Sequence, residues 1–405
     1  MTLASHARRL LIAAAAPLLG LAPAFAQSPP ATNTLRIGVI GPLTGGSADF
    51  GQVMLHGVQL AADEINAVGG YLGRKIELVQ KDDQGDNDIG LKVSQELVKE
   101  NVMATIGFCN TGVAAKSLDV FQKNHIPLII PCATGTPLTA RYPAKESYIF
   151  RNSPRDLIQA PFVVDDLLRR GLTKVALFAD TTGYGEAGMN DVIKALAAKN
   201  LKPVYVARFP IGVKDLSEDM RAARAAGADV IFAYTVGPEN AVIARSRESV
   251  GWRVPHVGPW TLSFPNFIKA AGKAADGALM SQTFIAEPSN ERRAAFLAAY
   301  DKHYKTPHIP VPMAAAQAYD ATYLLLYALF NIGTGEINGP AVKTALEHID
   351  RPYYGVVTTY DRPFSPDDKD AITRNMLVMG VVKNGGVTYA YPSDARSSGI
   401  IQRKQ

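Results

Sequence analysis

Residues 35–70 read LRIGVIGPLTGGSADFGQVMLHGVQLAADEINAVGG, and this stretch decides the fold. Leu35–Ile40 is a short apolar run, of the length expected for a strand buried on both faces. Gln52–Val68 follows as a helix, with Met54, Val58, Ala61 and Ile65 on one face at helical spacing. Gly69-Gly70 ends it, since glycine accepts the left-handed backbone at a helix terminus. A strand, a glycine-rich turn and a helix in that order form the unit of a parallel sheet covered by helices.

The alternation continues outward. Strands are expected at Lys75–Lys81, Ala104–Gly107 and Ile126–Ile130, with helices at Ile89–Asn101 and Val113–Asn124. After Asn152–Asp156 the pattern restarts. Helices at Gln159–Arg170, Ala187–Asn200, Leu216–Ala226 and Glu239–Val250 alternate with strands at Lys174–Asp180, Pro203–Arg208, Val230–Thr235 and Val254–Gly258. The last third begins no third series. It offers a strand at Ala278–Phe284, long helices at Asn290–Lys305 and Ala314–Asn331, and strand-like runs at Tyr354–Tyr360 and Asn375–Val382.

The expected fold class is therefore α/β: two Rossmann-like lobes with parallel sheets, joined by a multi-strand hinge. One lobe is expected to comprise 35–153 plus 286–358, the other 154–285 plus 359–395, with 396–405 a tail. The 405 residues are 47% hydrophobic and 20% charged, enough apolar material for large cores and unlike a disordered chain.

Arg8 and Arg9 precede an apolar stretch, Leu10 to Leu21, and then Ala24-Phe25-Ala26 and Gln27. A basic start, a short apolar middle and a small-x-small exit describe a secretory signal peptide, 1–26, cleaved between Ala26 and Gln27. The apolar stretch is shorter than the ~20 residues a bilayer span takes. Residues 27–34 read as a flexible leader, and the mature protein is expected outside the cytoplasm, in the periplasm. The formal charge of +5 includes Arg8 and Arg9, so the mature chain carries +3. No clustered Lys/Arg run with interleaved aromatics exists, so nucleic acid is not an expected partner.

Cofactor and catalytic motifs fail on spacing. Gly38, Gly41, Gly45 and Gly46 do not form G-x-G-x-x-G, and no P-loop lysine follows. Asp82-Asp83 with Asp86 and Asp88 resemble a calcium loop, but Leu97 stands where the terminal glutamate belongs. The seven His show no paired-ligand spacing, and no G-x-S-x-G elbow occurs. No cofactor, no metal and no enzymatic activity are expected. Cys109 and Cys132 stand without a nearby His, and both a disulfide and two buried free thiols are compatible with the sequence.

In open parallel sheets, ligands bind at the carboxyl ends of the strands, beside helix N-termini. On one lobe those loops are Pro42–Gly51 with Thr44 and Phe50, Cys109–Gly112 with Thr111, and Pro131–Gly135 with Cys132 and Thr134. On the other they carry Gly183-Tyr184-Gly185, Val236-Gly237 and Pro259-Trp260. The helix starting near Val113 presents unpaired N–H donors and a positive dipole end, which favour a carboxylate. Tyr184 and Trp260 supply aromatic surface, so the cleft suits a small organic acid.

Ile37–Gly51, Leu60–Gly70, Asp82-Asp83, Pro131–Thr134 and Tyr184-Gly185-Glu186 together resemble the periplasmic leucine/isoleucine/valine-binding protein family. These are substrate-binding components of ABC importers with the type I periplasmic binding fold. The resemblance covers roughly 35–392. It implies a small carboxylate ligand, an inner-membrane ABC permease as partner, and a monomer. The same fold also serves as the ligand domain of sensing receptors, which is the alternative. By the resemblance Thr111 matches a carboxylate-binding Ser. Thr134 matches a Thr at the amino-acid head group, with Cys132 in the same segment, and Phe50 and Tyr184 match pocket aromatics.

The chain also departs from the family. Amino-acid binders place an acid after Gly-Pro to hold the ligand ammonium. Here Trp260 follows Gly258-Pro259, and a family Tyr near Val236 is missing. A buried ammonium without a counter-charge costs several kcal/mol. The expected ligand is therefore a carboxylate lacking the ammonium, aromatic or aliphatic, unless Asp49, Glu186 or Glu239 replaces the missing acid. Cys109 and Cys132 follow strands expected to be neighbours, ~4.8 Å apart, and a disulfide bracing the carboxylate loops is expected between them.

Overall fold

The computed structural model describes residues 34–398 and Lys404. The signal segment, its cleavage point and the leader up to Asn33 lie outside the described residues. In chain order the first half contains β1 (Thr34–Gly41), α1 (Ala48–Ala67), β2 (Lys75–Asp82), α2 (Asn87–Lys99), β3 (Ala104–Gly107), α3 (Thr111–Lys123), β4 (Leu128–Ile130), α4 (Pro137–Ala140), β5 (Ile149–Arg151), α5 (Asp156–Arg169), β6 (Val175–Asp180) and α6 (Gly183–Ala197). The second half contains β7 (Tyr205–Phe209), α7 (Ser217–Ala225), β8 (Val230–Tyr234), α8 (Gly237–Ser249), β9 (His256–Gly258), α9 (Pro265–Ala271), β10 (Leu279–Gln282), α10 (Glu291–Tyr304), α11 (Pro312–Ile332) and α12 (Gly339–Glu347). It closes with β11 (Tyr353–Tyr354), β12 (Thr359–Tyr360), β13 (Val378–Lys383), β14 (Gly386–Tyr389) and α13 (Pro392–Ser398).

Two sheets result. The first, β2-β1-β3-β4-β5, is wholly parallel. The second has the order β14-β13-β10-β9-β8-β6-β7, parallel except that β13 and β14 add antiparallel. The fold is α/β with two lobes, as the alternation predicted. Strand β1 shows why its sequence is so apolar: Leu35, Ile37, Val39 and Ile40 are all buried, each such burial contributing about 1.5–3 kcal/mol.

Helices α10 to α12 share the first sheet's core with α1, while β13 and β14 extend the second sheet. The α1–α11 crossing is close because Gly57 faces a carbonyl. A Cβ there would lie 2.2 Å from the Ala315 oxygen. Besides α4, α9, α12, β14 and α13, which the sequence reading does not name, three elements differ from it. Tyr354–Tyr360 is not one strand but a hairpin of two two-residue strands, β11 and β12. The strand expected from Asn375 starts at Val378, after a short 3-10 turn. Strand β5, only three residues long, carries no alternation for a sequence pattern to detect.

The acidic cluster at Asp82–Asp88 builds turns. Asp82 accepts the amides of Leu43, Thr44 and Gln84, Asp83 accepts that of Gly85, and Asp86 caps α2 through Asp88 and Ile89. Among the described residues no group of three or more His, Cys, Asp or Glu is placed to hold a metal.

Candidate functional site

The carboxyl ends of β1, β3 and β4 from one sheet and of β6, β8 and β9 from the other surround a cavity of about 530 Å³. That is within the usual range for small-ligand pockets. Phe50, Thr111, Thr134, Tyr184, Val236 and Trp260 all line it. Cys132 does not: it is fully buried behind the wall, and Cys109 lines the cavity instead.

Helix α3 starts at the cavity. Its first intrahelical bond runs from the Ala114 amide to the Asn110 carbonyl. The amides of Thr111, Gly112 and Val113 therefore lack helical partners, and these residues line the space. Asn110 gives no side-chain cap. Its Nδ2 donates to Ser47 Oγ and its Oδ1 has no partner. From the other lobe α6 also starts at the cavity, with Thr182 capping the Gly185 amide. The two helix starts touch backbone to backbone. A Cβ on Gly183 would sit 3.2 Å from the Gly112 Cα, so glycine at 183 permits the approach.

The apolar wall crosses the lobes. Phe50 packs on Phe264 at 4.9 Å and edge-on to Trp260 at 6.5 Å between ring centroids. Among the described residues Asn110 Oδ1, Thr134 Oγ1, Tyr184 OH, Trp260 Nε1 and Thr261 Oγ1 are buried without an aligned hydrogen-bond partner, with Tyr184 near Thr261 and Thr134 near Asp156, and all five residues line this cavity. Leaving a buried polar atom unpaired costs about 1–3 kcal/mol, so five around one cavity mark a place built for a polar guest.

None of the three acids weighed as replacements lines the cavity. Asp49 is exposed in the first turn of α1, Glu186 pairs with Arg208, and Glu239 accepts the Gly212 amide. Asp86 and Asp88 line the cavity at the exposed start of α2, and a further acid, buried behind the lining, is one the sequence reading missed. Asp156, at the start of α5, is fully buried behind Thr134 and Tyr184. Its Oδ1 accepts from Gln159 Nε2, while Oδ2 stands near the Thr134 and Tyr234 hydroxyls without an aligned bond. Burial pushes its carboxyl up to about 7 against the pull of those hydroxyls and of Arg151. The sequence reading places Asp156 in the break before a helix expected from Gln159, where an acid ordinarily reads as solvated, so nothing in the sequence singled it out.

Thr261 and Phe264 were also missed. They follow Trp260 in a 3-10 turn that carries the loop back over the cavity. Ile211, half exposed at the rim, comes from the loop after the edge strand β7. The disulfide expected between Cys109 and Cys132 is a correction: both are free thiols. The neighbouring strands do bring them into contact, but the Cys109 thiol turns to Met54 Sδ, 3.5 Å away.

The fold and this cleft define a type I periplasmic binding protein. A family model described as periplasmic binding protein matches residues 34–386. Leu/Ile/Val-binding protein homolog 3 of Brucella melitensis biotype 1 is 30% identical over 80% of this chain and 86% of its own length. The branched-chain amino acid transporter substrate-binding protein LivJ of Streptococcus pneumoniae, solved with isoleucine, superposes at TM-score 0.75 with 25% identity, covering 87% and 97% of the two chains. A solute-binding protein of an ABC transporter from R. palustris, solved with benzoate, also gives TM-score 0.75, at 20% identity and 88% and 95% coverage. The chain belongs to the periplasmic leucine/isoleucine/valine-binding protein family.

Proposed function

We propose that this protein is the periplasmic solute-binding component of an ABC importer of the branched-chain amino acid type. It takes a small carboxylate into the cleft and delivers it, as a monomer, to an inner-membrane permease. It works by binding and closure, not by chemistry. The observation that carries this reading is the ring of five unpartnered polar atoms beside the open start of α3. No Lys, Arg or His lines the cavity among the described residues, so backbone amides and hydroxyls are left to hold the carboxylate.

The ligand in this reading lacks an α-ammonium and is an aromatic or aliphatic acid. Trp260 stands where the family places its acid, and its ring joins the wall made by Phe50 and Phe264. The unpartnered indole Nε1 offers a donor to an acceptor on the ligand, and an ammonium has no acceptor to give it. A second reading, an amino acid, is favoured by Asp156, whose buried carboxyl would regain its charge beside an ammonium. The alternative of a receptor domain predicts a membrane-spanning segment or partner. No helix among the described residues is long and apolar enough to cross a membrane.

The test is thermal unfolding of the mature protein, stripped of carried-over ligand by unfolding and refolding. One panel holds leucine, isoleucine and valine; the other holds benzoate, hydroxybenzoates and 4-methylpentanoate. A ligand at 100 times its Kd adds about 2.7 kcal/mol. Stabilisation by the second panel alone supports the first reading. Tighter binding of leucine than of every des-amino acid sinks it in favour of the second.

A further inference from the structure

Away from the cavity, one hydroxyl joins the lobes. Thr136 follows β4 in the first lobe, and its Oγ1 donates to Asp191 Oδ2 at 2.5 Å on α6 of the second. The same oxygen accepts the Leu157 amide in the first turn of α5, at 2.9 Å. A threonine has one hydroxyl proton, and an amide can only donate, so the proton is committed to Asp191. Asp191 is 3% exposed. Among the described residues its other oxygen pairs with the mostly exposed Lys194 ammonium, 3.8 Å away, while Arg151 and Arg155 act on the carboxyl from further off. Neither Thr136 nor Asp191 lines the ligand cavity.

We propose that Thr136 and Asp191 form an interlobe latch that sets the affinity for every ligand alike and takes no part in choosing among ligands. Separating the lobes removes Thr136 from a buried carboxylate, so the bond exists only in the closed arrangement. The Gly112–Gly183 backbone contact fixes how far closure goes, and the latch favours the closed state once it is reached. A protein whose binding-competent state is populated to a fraction f binds with an apparent Kd of Kd/f. A change in f scales all ligands by one factor, because the latch meets protein on both sides. This inference rests on the solute-binding reading for its affinity consequence, but not for its geometry.

The test uses the mature chain with Thr136→Val, Asp191→Ala, the double variant and Thr136→Ser. Kd is measured by calorimetry for leucine and for benzoate. A hydrogen bond to a charged group in the closed state sets the expected loss at about tenfold or more for each single variant. The Thr136→Val factor is the same for whichever probes bind, the double variant is no worse than the worse single, and Thr136→Ser restores affinity; Asp191→Ala also removes a charge that acts on Asp156, so its factors for the two probes need not be equal. A lower melting temperature with unchanged Kd reduces Thr136 to a cap of α5 and overturns the latch, as do unequal factors for the two probes in Thr136→Val.

Closure is also read without any ligand, from the distance distribution between spin labels at exposed Lys92→Cys and Lys214→Cys, one per lobe. The latch predicts a short-distance population that shrinks in the variants. Its absence from the wild type, or its persistence unchanged in Thr136→Val and Asp191→Ala, overturns the proposal even if no ligand of either panel binds.

Discussion

Replacing Arg151 by Met tests whether one buried guanidinium ties the hinge to the ligand loops. Arg151 ends β5 and is fully buried. Its Nε donates to Asp370 Oδ1 at 2.6 Å, Nη1 to the Thr134 and Gly135 carbonyls at 2.9 and 2.8 Å, and Nη2 to Thr139 Oγ1 at 2.8 Å. Its backbone brackets the same hinge segment: its amide donates to the Lys369 carbonyl, and its carbonyl accepts the Ala371 amide. Met keeps the apolar stem and removes all four side-chain bonds. Breaking a buried pair from one side costs about 3–5 kcal/mol, because the remaining charge is stranded. Asp370 keeps Thr139 and the partly exposed Arg155, at 2.9 and 3.3 Å, which places the loss toward the lower end, about 3 kcal/mol. That is a large share of the ~5–15 kcal/mol that holds a domain folded.

The assay is urea unfolding of the ligand-free mature protein at pH 7, with the slope required to match wild type. Arg151→Lys recovers little, since an ammonium cannot span the fork of acceptors. The double variant Arg151→Met, Asp370→Leu recovers part of the loss by removing the stranded charge. Acid adds a second reading. Burial pushes the Asp370 carboxyl up, but Arg151, Arg155 and Thr139 together hold it below its usual 3.8. A depressed carboxyl contributes stability that is present above 3.8 and lost as pH falls further. The gap between wild type and Arg151→Met therefore narrows below pH 4. A loss under about 1 kcal/mol at pH 7, where a broken buried pair calls for several, or a gap that widens in acid, refutes the reasoning.

Three further outcomes are expected. His256 is buried with neither ring nitrogen bonded, and burial together with Arg247 drives its pKa well below 6.5. Wild type should lose about 1.4 kcal/mol per pH unit below 6.5 from this group, and urea unfolding of His256→Phe from pH 7 to 5 should lack that slope. Asp156 is raised from 3.8 to about 7, so its favourable contribution is lost as pH rises through that window. Asp156→Asn should gain on wild type between pH 4 and 7 and level off above it in the same assay, and should lose leucine affinity only if the ligand is an amino acid. Gly57→Ala forces a methyl against the Ala315 carbonyl, which is backbone and cannot turn aside. Denaturant unfolding should show a loss of about 1–3 kcal/mol.

The lobes and the cleft were legible because parallel strands buried on both faces must be apolar runs, and the runs end in loops whose place is set by topology. Phe50, Thr111, Thr134, Tyr184, Val236 and Trp260 follow six different strands, and all six line one space. Side chains behind the wall were not legible. Asp156 and Arg151 are charges at the ends of elements, where charge ordinarily means solvent. Only the tertiary packing of α5 and β5 against the hinge buries them. Short pieces were lost for a different reason. A three-residue strand such as β5 and the two-residue pair β11–β12 have no periodicity to detect, and their existence depends on partners far away in the chain. The thiols show the limit of adjacency: neighbouring strands set the distance between Cys109 and Cys132, but side-chain direction turned one of them to Met54.

Trp260 joins these strands of argument. Gln159 holds its backbone through Oε1 to the Trp260 amide, at 3.3 Å, and takes the Ser281 hydroxyl with the same oxygen. The Gln159 Nε2 donates to Asp156. One amide side chain on α5 therefore holds both the Trp260 backbone at the wall and the carboxyl behind it. An acid after Gly258-Pro259 would stand where the indole now meets Phe50 and Phe264. Closure would then bury a charge against two phenylalanines unless the ligand brought a cation with it. With Trp260 in that place the lobes meet through rings, and on the proposed reading closure needs no ammonium. On the proposed reading an amine would be distinguished by the carboxyls at hand, Asp86 and Asp88 on the lining and Asp156 behind it, whose pKa burial raises to about 7.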